Sequence, residues 1–89
     1  MCYVYVLQSL KDKKFYTGYT VDLKRRMGEH NKGLEFSTRY RIPFKLVYYE
    51  ACLSKEDAVA REQYLKSGMG KRYLKNRLKC YLGLSILGA

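Results

Sequence analysis

Two strand-forming segments lie close together at the start of the chain, and their spacing constrains the fold more than any other feature. Residues Cys2 to Leu7 are β-branched and aromatic, which suits a strand. Along that strand Tyr3, Tyr5 and Leu7 share one face, and Cys2, Val4 and Val6 share the other. Phe15 to Thr20 reads as a second strand, interrupted by Gly18, and a glycine inside a strand often marks a bulge or a close approach by another group. Between them Lys11-Asp12-Lys13-Lys14 forms a polar break without glycine, which predicts a hairpin loop longer than a tight two-residue turn.

Thr20 or Asp22 can cap a helix whose apolar stripe is Leu23, Met27 and Leu34. Asp22, Arg26 and His30 recur every four residues as a polar stripe, and Asn31-Lys32-Gly33 supplies the end. Glu35 to Pro43 is irregular and basic. Phe44 to Ala51 reads as a third strand, and Ser54 opens a helix through a capping-box-like Ser54-Lys55-Glu56-Asp57. Gly68-Met69-Gly70 predicts a break before a last basic helix from Lys71 to Cys80, with Leu74, Leu78 and Tyr81 inward. The fold class expected is α+β, a small three-stranded, mainly antiparallel sheet flanked by helices in the order β-β-α-β-α-α. Periodicity does not fix where the third strand lies.

The 89 residues suffice for one domain, expected over 1–82, with 83–89 as a C-terminal tail. Eighteen Lys and Arg against eight Asp and Glu give a net charge of +10, which repels itself in the compact state and attracts polyanions. No long apolar segment is present, so a membrane span is excluded, and the start lacks a signal-peptide pattern. Cys2, Cys52 and Cys80 are far apart in sequence and form no Cys-x-x-Cys pair, which points to reduced cysteines and a cytoplasmic protein.

Tyr3-Val4-Tyr5, then Tyr16-Thr17-Gly18, then Arg26 and His30 on a helix, and Arg61-Glu62 on a later helix form an ordered pattern. It resembles the GIY-YIG nuclease family, in particular its small stand-alone members, over Tyr3 to about Met69. Tyr3 stands where the first name-giving tripeptide has glycine, and Thr17 where the second has isoleucine.

The resemblance implies a metal-dependent endonuclease that hydrolyses phosphodiester bonds, acting on structured DNA in repair or recombination. Its implied catalytic set is Tyr5, Tyr16, Arg26, His30 and Glu62. Glu62 would hold one divalent cation, Mg²⁺ or Mn²⁺; Arg26 would clamp the scissile phosphate; Gly18 would let helix and phosphate approach the sheet. The general base stays open among Tyr5, Tyr16 and His30: a tyrosine is mostly protonated at neutral pH, with an ordinary pKa of about 10, and His30 titrates closer to neutrality.

Gly18, Lys24, Arg25, Arg39, Arg41, Lys66, Lys71 and Arg72 are the candidate nucleic-acid contacts, with Phe36, Tyr40 and Tyr73 as stacking rings. Each residue also has a plain reading: Tyr5 and Tyr16 as sheet surface, Arg26 as a solvated helix arginine, Glu62 as the partner of Lys66 one turn on. DNA is expected over RNA as the partner, with nucleoid association when bound to it. A homodimer or protein partner could complete so small a surface. A non-catalytic DNA- or RNA-binding module on the same fold is the alternative, and an accessory protein for an acidic partner is a third reading.

Overall fold

The computed structural model describes residues 1–83. Its elements are β1 (Cys2–Ser9), β2 (Phe15–Thr20), α1 (Leu23–Asn31), a 3₁₀ turn at Arg39–Arg41, β3 (Phe44–Cys52), α2 (Lys55–Lys66) and α3 (Gly68–Arg77). The three strands form one antiparallel sheet in the order β2-β1-β3, so the first strand is central and the third pairs on its free side. The expected α+β class and element order hold. Apart from Gly83, the expected tail lies outside the described residues. Among those residues no helix is long and apolar enough to cross a membrane.

Strand alternation divides the molecule into two cores. Cys2, Val4 and Val6 face Ala58 and Leu65 of α2 and Leu74 of α3, while Tyr5 and Leu7 face the opposite layer with Phe44, Leu23 and Met27. Full burial of an aliphatic side chain such as Val6 or Leu65 contributes about 1.5–3 kcal/mol. The β1–β3 register slips between Val6 and Leu7, where Val6 pairs with Tyr48 and Leu7 with Leu46. Val47 is therefore the extra residue of a bulge. Leu46 turns to the Tyr5 layer, and Val47 and Tyr48 to the other.

Ser9 organises the hairpin loop. Its hydroxyl accepts from the Lys11 and Asp12 N–H groups, both at 3.1 Å, and donates to the Arg41 carbonyl at 2.6 Å. Asp22 caps α1 by accepting from the Arg25 N–H at 3.0 Å. Leu34 lies beyond the end of α1 and is exposed, so it leaves the expected apolar stripe. Ser54 caps α2 through the Asp57 N–H, but its hydroxyl donates to Glu56, so the expected box closes on one side only.

The break expected at Gly68-Met69-Gly70 is instead the first turn of α3. Ser67 caps that helix, accepting from the Gly70 N–H at 3.1 Å. Tyr81 is also not inward: it is 44% exposed, with its hydroxyl donating to Gln8 Oε1 at 2.5 Å. Cys2 and Cys52, far apart in sequence, are cross-strand neighbours, and all three cysteines are free.

Candidate active site

Pairing of Leu7 with Tyr16 and Tyr5 with Gly18 places both named tyrosines on one sheet face. Tyr5 is 1% exposed, and its ring lies across Gly18, where an added Cβ would stand 2.6 Å from the Tyr5 hydroxyl oxygen. The space above Gly18 is thus filled by Tyr5 rather than left for a phosphate.

Over this face α1 lowers His30 and Arg26, one turn apart. His30 is fully buried, with Nε2 2.9 Å from the Tyr5 hydroxyl and Nδ1 2.9 Å from Thr38 Oγ1. Arg26 Nε donates to the Tyr5 hydroxyl at 3.4 Å. A guanidinium can only donate, so His30 Nε2 is the one acceptor within reach of the buried Tyr5 proton, and this pairing assigns a neutral imidazole with its own proton on Nδ1 toward Thr38. Burial, and next the Arg26 charge, hold His30 below its ordinary value. Burial pushes the Tyr5 hydroxyl up to about 12, against the lowering effect of Arg26.

The Tyr16 ring lies 5.1 Å from His30 and 6.5 Å from Tyr5. Its hydroxyl has no hydrogen-bond partner among the described residues, and the side chain is half-buried. Arg26 is engaged on every side, with Nη1 on Glu29 Oε1 at 2.9 Å and Nη2 on Glu35 Oε1. Burial works against its charge, but the bonds to Glu29, Glu35 and Tyr5 outweigh burial and hold its pKa above the ordinary value. In return the Arg26 bond lowers Glu35.

The structure thus gathers Tyr5, Tyr16, Arg26 and His30 and adds Glu29, Glu35 and Thr38. Glu29 was legible as the i+3 neighbour of Arg26. Glu35 and Thr38 come from the irregular segment after α1 and carry no periodic signal.

Glu62 stands apart. It lies on α2, which packs on β1 and β2 from the other layer, and its carboxylate pairs with Lys66 Nζ at 3.0 Å. Among the described residues no hydrogen bond or ion pair joins it to the Tyr5 cluster. Its side chain is only 12% exposed, and its partner Lys66 lines one cavity with Phe15, Tyr16 and Thr17. Glu62 is thus linked to the Tyr16 cavity only through its ion-pair partner Lys66.

Among the described residues no group of three or more His, Cys, Asp or Glu side chains is placed to hold a metal ion. A hard divalent cation held here on the single carboxylate of Glu62 would need water and substrate phosphate to complete its shell. The donor set does not fit an all-protein cage.

The basic candidates divide. Lys24 and Arg25 are exposed on α1. The Arg39 guanidinium lies over Phe36 at 4.4 Å and Tyr40 at 4.7 Å, so all three remain a surface cluster. Arg41 is not free: it bonds Asp12 at 2.8 Å and holds the hairpin loop, and with the Lys14 N–H it lowers the Asp12 carboxyl to about 2. Tyr73 is likewise committed, 3.0 Å from the Tyr48 hydroxyl and under Arg61, which clasps Glu50 with two bonds of 2.9 Å. That Glu50-Arg61-Tyr48-Tyr73 network ties β3 to α2 and α3. Lys71 and Arg72 are exposed on α3 and line a groove.

Comparison with known proteins bears on this geometry. The GIY-YIG catalytic domain family matches residues 1–79. UPF0213 proteins of Streptococcus pyogenes serotypes M3 and M1 are each 52% identical over 66 residues, covering 72% of this chain and 70% of theirs. The solution NMR structure of a UPF0213 protein from Bacillus halodurans is similar with a TM-score of 0.52 and 42% identity, over 85% of this chain and 84% of that one.

Proposed function

The chain belongs to the GIY-YIG family, and from that premise we propose that it is a divalent-metal-dependent endonuclease whose substrate phosphate sits between Tyr16, Arg26 and Glu62. The observation that carries this reading is the buried Tyr5-His30-Arg26 network beside an unengaged Tyr16 hydroxyl.

In this reading Arg26 binds the scissile phosphate and stabilises charge that develops on it. The phosphate replaces Glu35 on Nη2, an exchange of one anion for another that leaves the guanidinium paired throughout. His30 has both ring nitrogens committed and no exposure to solvent. It is therefore a positioning residue that holds Tyr5, which in turn fixes Arg26 Nε. Tyr16, with its free hydroxyl, orients the attacking water by hydrogen bonding to it. Glu62 would hold a cation such as Mg²⁺ or Mn²⁺, which would supply Lewis-acid stabilisation of the phosphate oxygens. DNA is the substrate favoured over RNA, branched DNA in repair or recombination being the setting.

One observation favours a non-catalytic nucleic-acid-binding module instead. The Glu62 carboxylate is paired with Lys66 and shares no bond with the Tyr5 cluster. A cleavage assay on plasmid, branched DNA and structured RNA with Mg²⁺ or Mn²⁺ separates the two. The nuclease reading expects metal-dependent cutting that Glu62→Ala abolishes without unfolding. Arg26→Ala is expected to impair cutting more than affinity. Native protein that binds each substrate and cuts none would leave the binding module.

A further inference from the structure

Between the hairpin loop and α3 lies a groove of about 720 Å³. Lys13 and Lys14 line it from the hairpin loop, Lys71, Arg72 and Lys75 from α3, and the half-buried Phe15 of β2 also lines it. No carboxylate lines it, and none of these five cations has an ion-pair partner among the described residues. By contrast, Arg26, Arg41, Arg61 and Lys66 are all paired. Holding five unneutralised cations around one groove costs mutual repulsion, which a bound polyanion relieves.

The groove is not isolated. It adjoins the cavity that holds Tyr16 and Lys66, and the two share Phe15 and Lys71. β2 is an edge strand, paired with β1 on one side only. A cationic track therefore runs from the Lys66–Glu62 pair, past Tyr16, to Lys75.

We propose that this groove binds single-stranded nucleic acid on one side of the scissile phosphate. Its cations neutralise successive phosphates, and the half-buried Phe15 ring that lines it takes a base, the combination that single-strand sites use. The direction of the strand rests on the nuclease reading, because that reading puts the reacting phosphate at Tyr16. The groove's affinity for a single strand does not depend on cutting.

Fluorescence anisotropy with a labelled oligothymidylate, a duplex of equal length and an abasic phosphodiester chain tests it, in EDTA so that nothing is cut. The full native chain is compared with Lys71→Ala/Arg72→Ala/Lys75→Ala and with a control, Lys32→Ala/Lys55→Ala/Lys79→Ala, all checked by circular dichroism. For the single strand, the slope of log affinity against log salt is expected to fall by about 2 in the groove variant, since each phosphate contact contributes about 0.7. The control should keep the native slope, and the abasic chain should bind native protein more weakly.

Equal slopes in native and groove variant, equal losses in groove and control variants, or tighter binding of duplex than single strand would each overturn the groove. A parallel Mg²⁺ assay separates the two claims. Native cutting with an unaltered groove-variant slope overturns the groove and keeps the nuclease. The expected slope change in a protein that never cuts keeps the groove as a binding site and removes the nuclease.

Discussion

At Gly18 an added methyl carbon would lie 2.6 Å from the Tyr5 hydroxyl oxygen and 2.8 Å from Cζ. Tyr5 is pinned at that hydroxyl by His30 and Arg26, so its ring cannot move aside without breaking both bonds. Gly18→Ala is therefore expected to cost about 1–3 kcal/mol of stability, the usual range for overpacking. It should also reduce cleavage beyond the loss of folded protein. Urea melts beside activity per folded molecule measure the two effects, and an unchanged melt would show that Tyr5 has room to turn. His30 makes a second prediction at this scale. Its folded pKa is depressed below the ordinary 6.5, first by burial and then by Arg26, against weaker raising effects of Glu35 and Glu29. The unfolded chain then takes up a proton more readily than the folded one, so the stabilising contribution is complete above 6.5 and is lost as pH falls through the lower folded value. Thermal melts from pH 8 to 5 should show that decline, and His30→Gln should flatten it, His30 being the only histidine. A decline that persists in the variant would assign it to another group. The tyrosines, Arg26 and His30 were legible through the resemblance to the family's ordered motif, not from any one of them alone. Glu35 and Thr38 were not, because a partner contributed by an irregular segment leaves no period in the sequence.

Helix α3 shows where local propensity and packing conflict. Gly68-Met69-Gly70 has the composition of a breaker, yet a Cβ on Gly70 would stand 2.5 Å from Leu65 Cα and clash with the Tyr64 carbonyl oxygen. Gly70 is the contact that lets the first turn of α3 lie against the end of α2, and Ser67 supplies the cap. Backbone atoms of a helix cannot give way as the end of a side chain can. Gly70→Ala is accordingly expected to cost about 3 kcal/mol or more, at the top of the overpacking range. Gly68→Ala, with nothing within 4 Å of its added carbon, should be neutral or slightly stabilising. Denaturant titrations of the two variants check the contrast, and equal effects would mean that propensity, not contact, governs this turn. The strands and the caps at Asp22 and Ser54 were legible because each is a local chemical signal. The pairing of β3 with β1 and the bulge at Val47 were not, since both are set by contacts between segments some forty residues apart.

For the whole molecule the governing quantity is the +10 charge spread over a body whose described extents are 39 × 30 × 20 Å. At 0.01 M salt the screening length is about 30 Å, so every cation feels nearly every other; at 0.1 M it is about 10 Å and distant pairs are silent. The folded state concentrates this repulsion more than the expanded chain does. Stability is therefore expected to rise between 10 and 200 mM NaCl. The five unpaired cations around the α3 groove contribute a disproportionate share of that repulsion, because they have no carboxylate among them. Lys71→Ala/Arg72→Ala/Lys75→Ala should thus melt higher than native protein at 10 mM NaCl and respond less to added salt. A saturating single-stranded oligonucleotide at low salt should raise the native melting temperature through binding to the folded state. It should raise that of the variant less. Differential scanning fluorimetry across the salt series measures all of this. A variant that melts lower than native protein at 10 mM NaCl would mean that these side chains stabilise the fold through the packing of their methylene stems. A higher melting temperature would mean that the chain gives up stability at this groove to hold cations ready for a phosphate backbone.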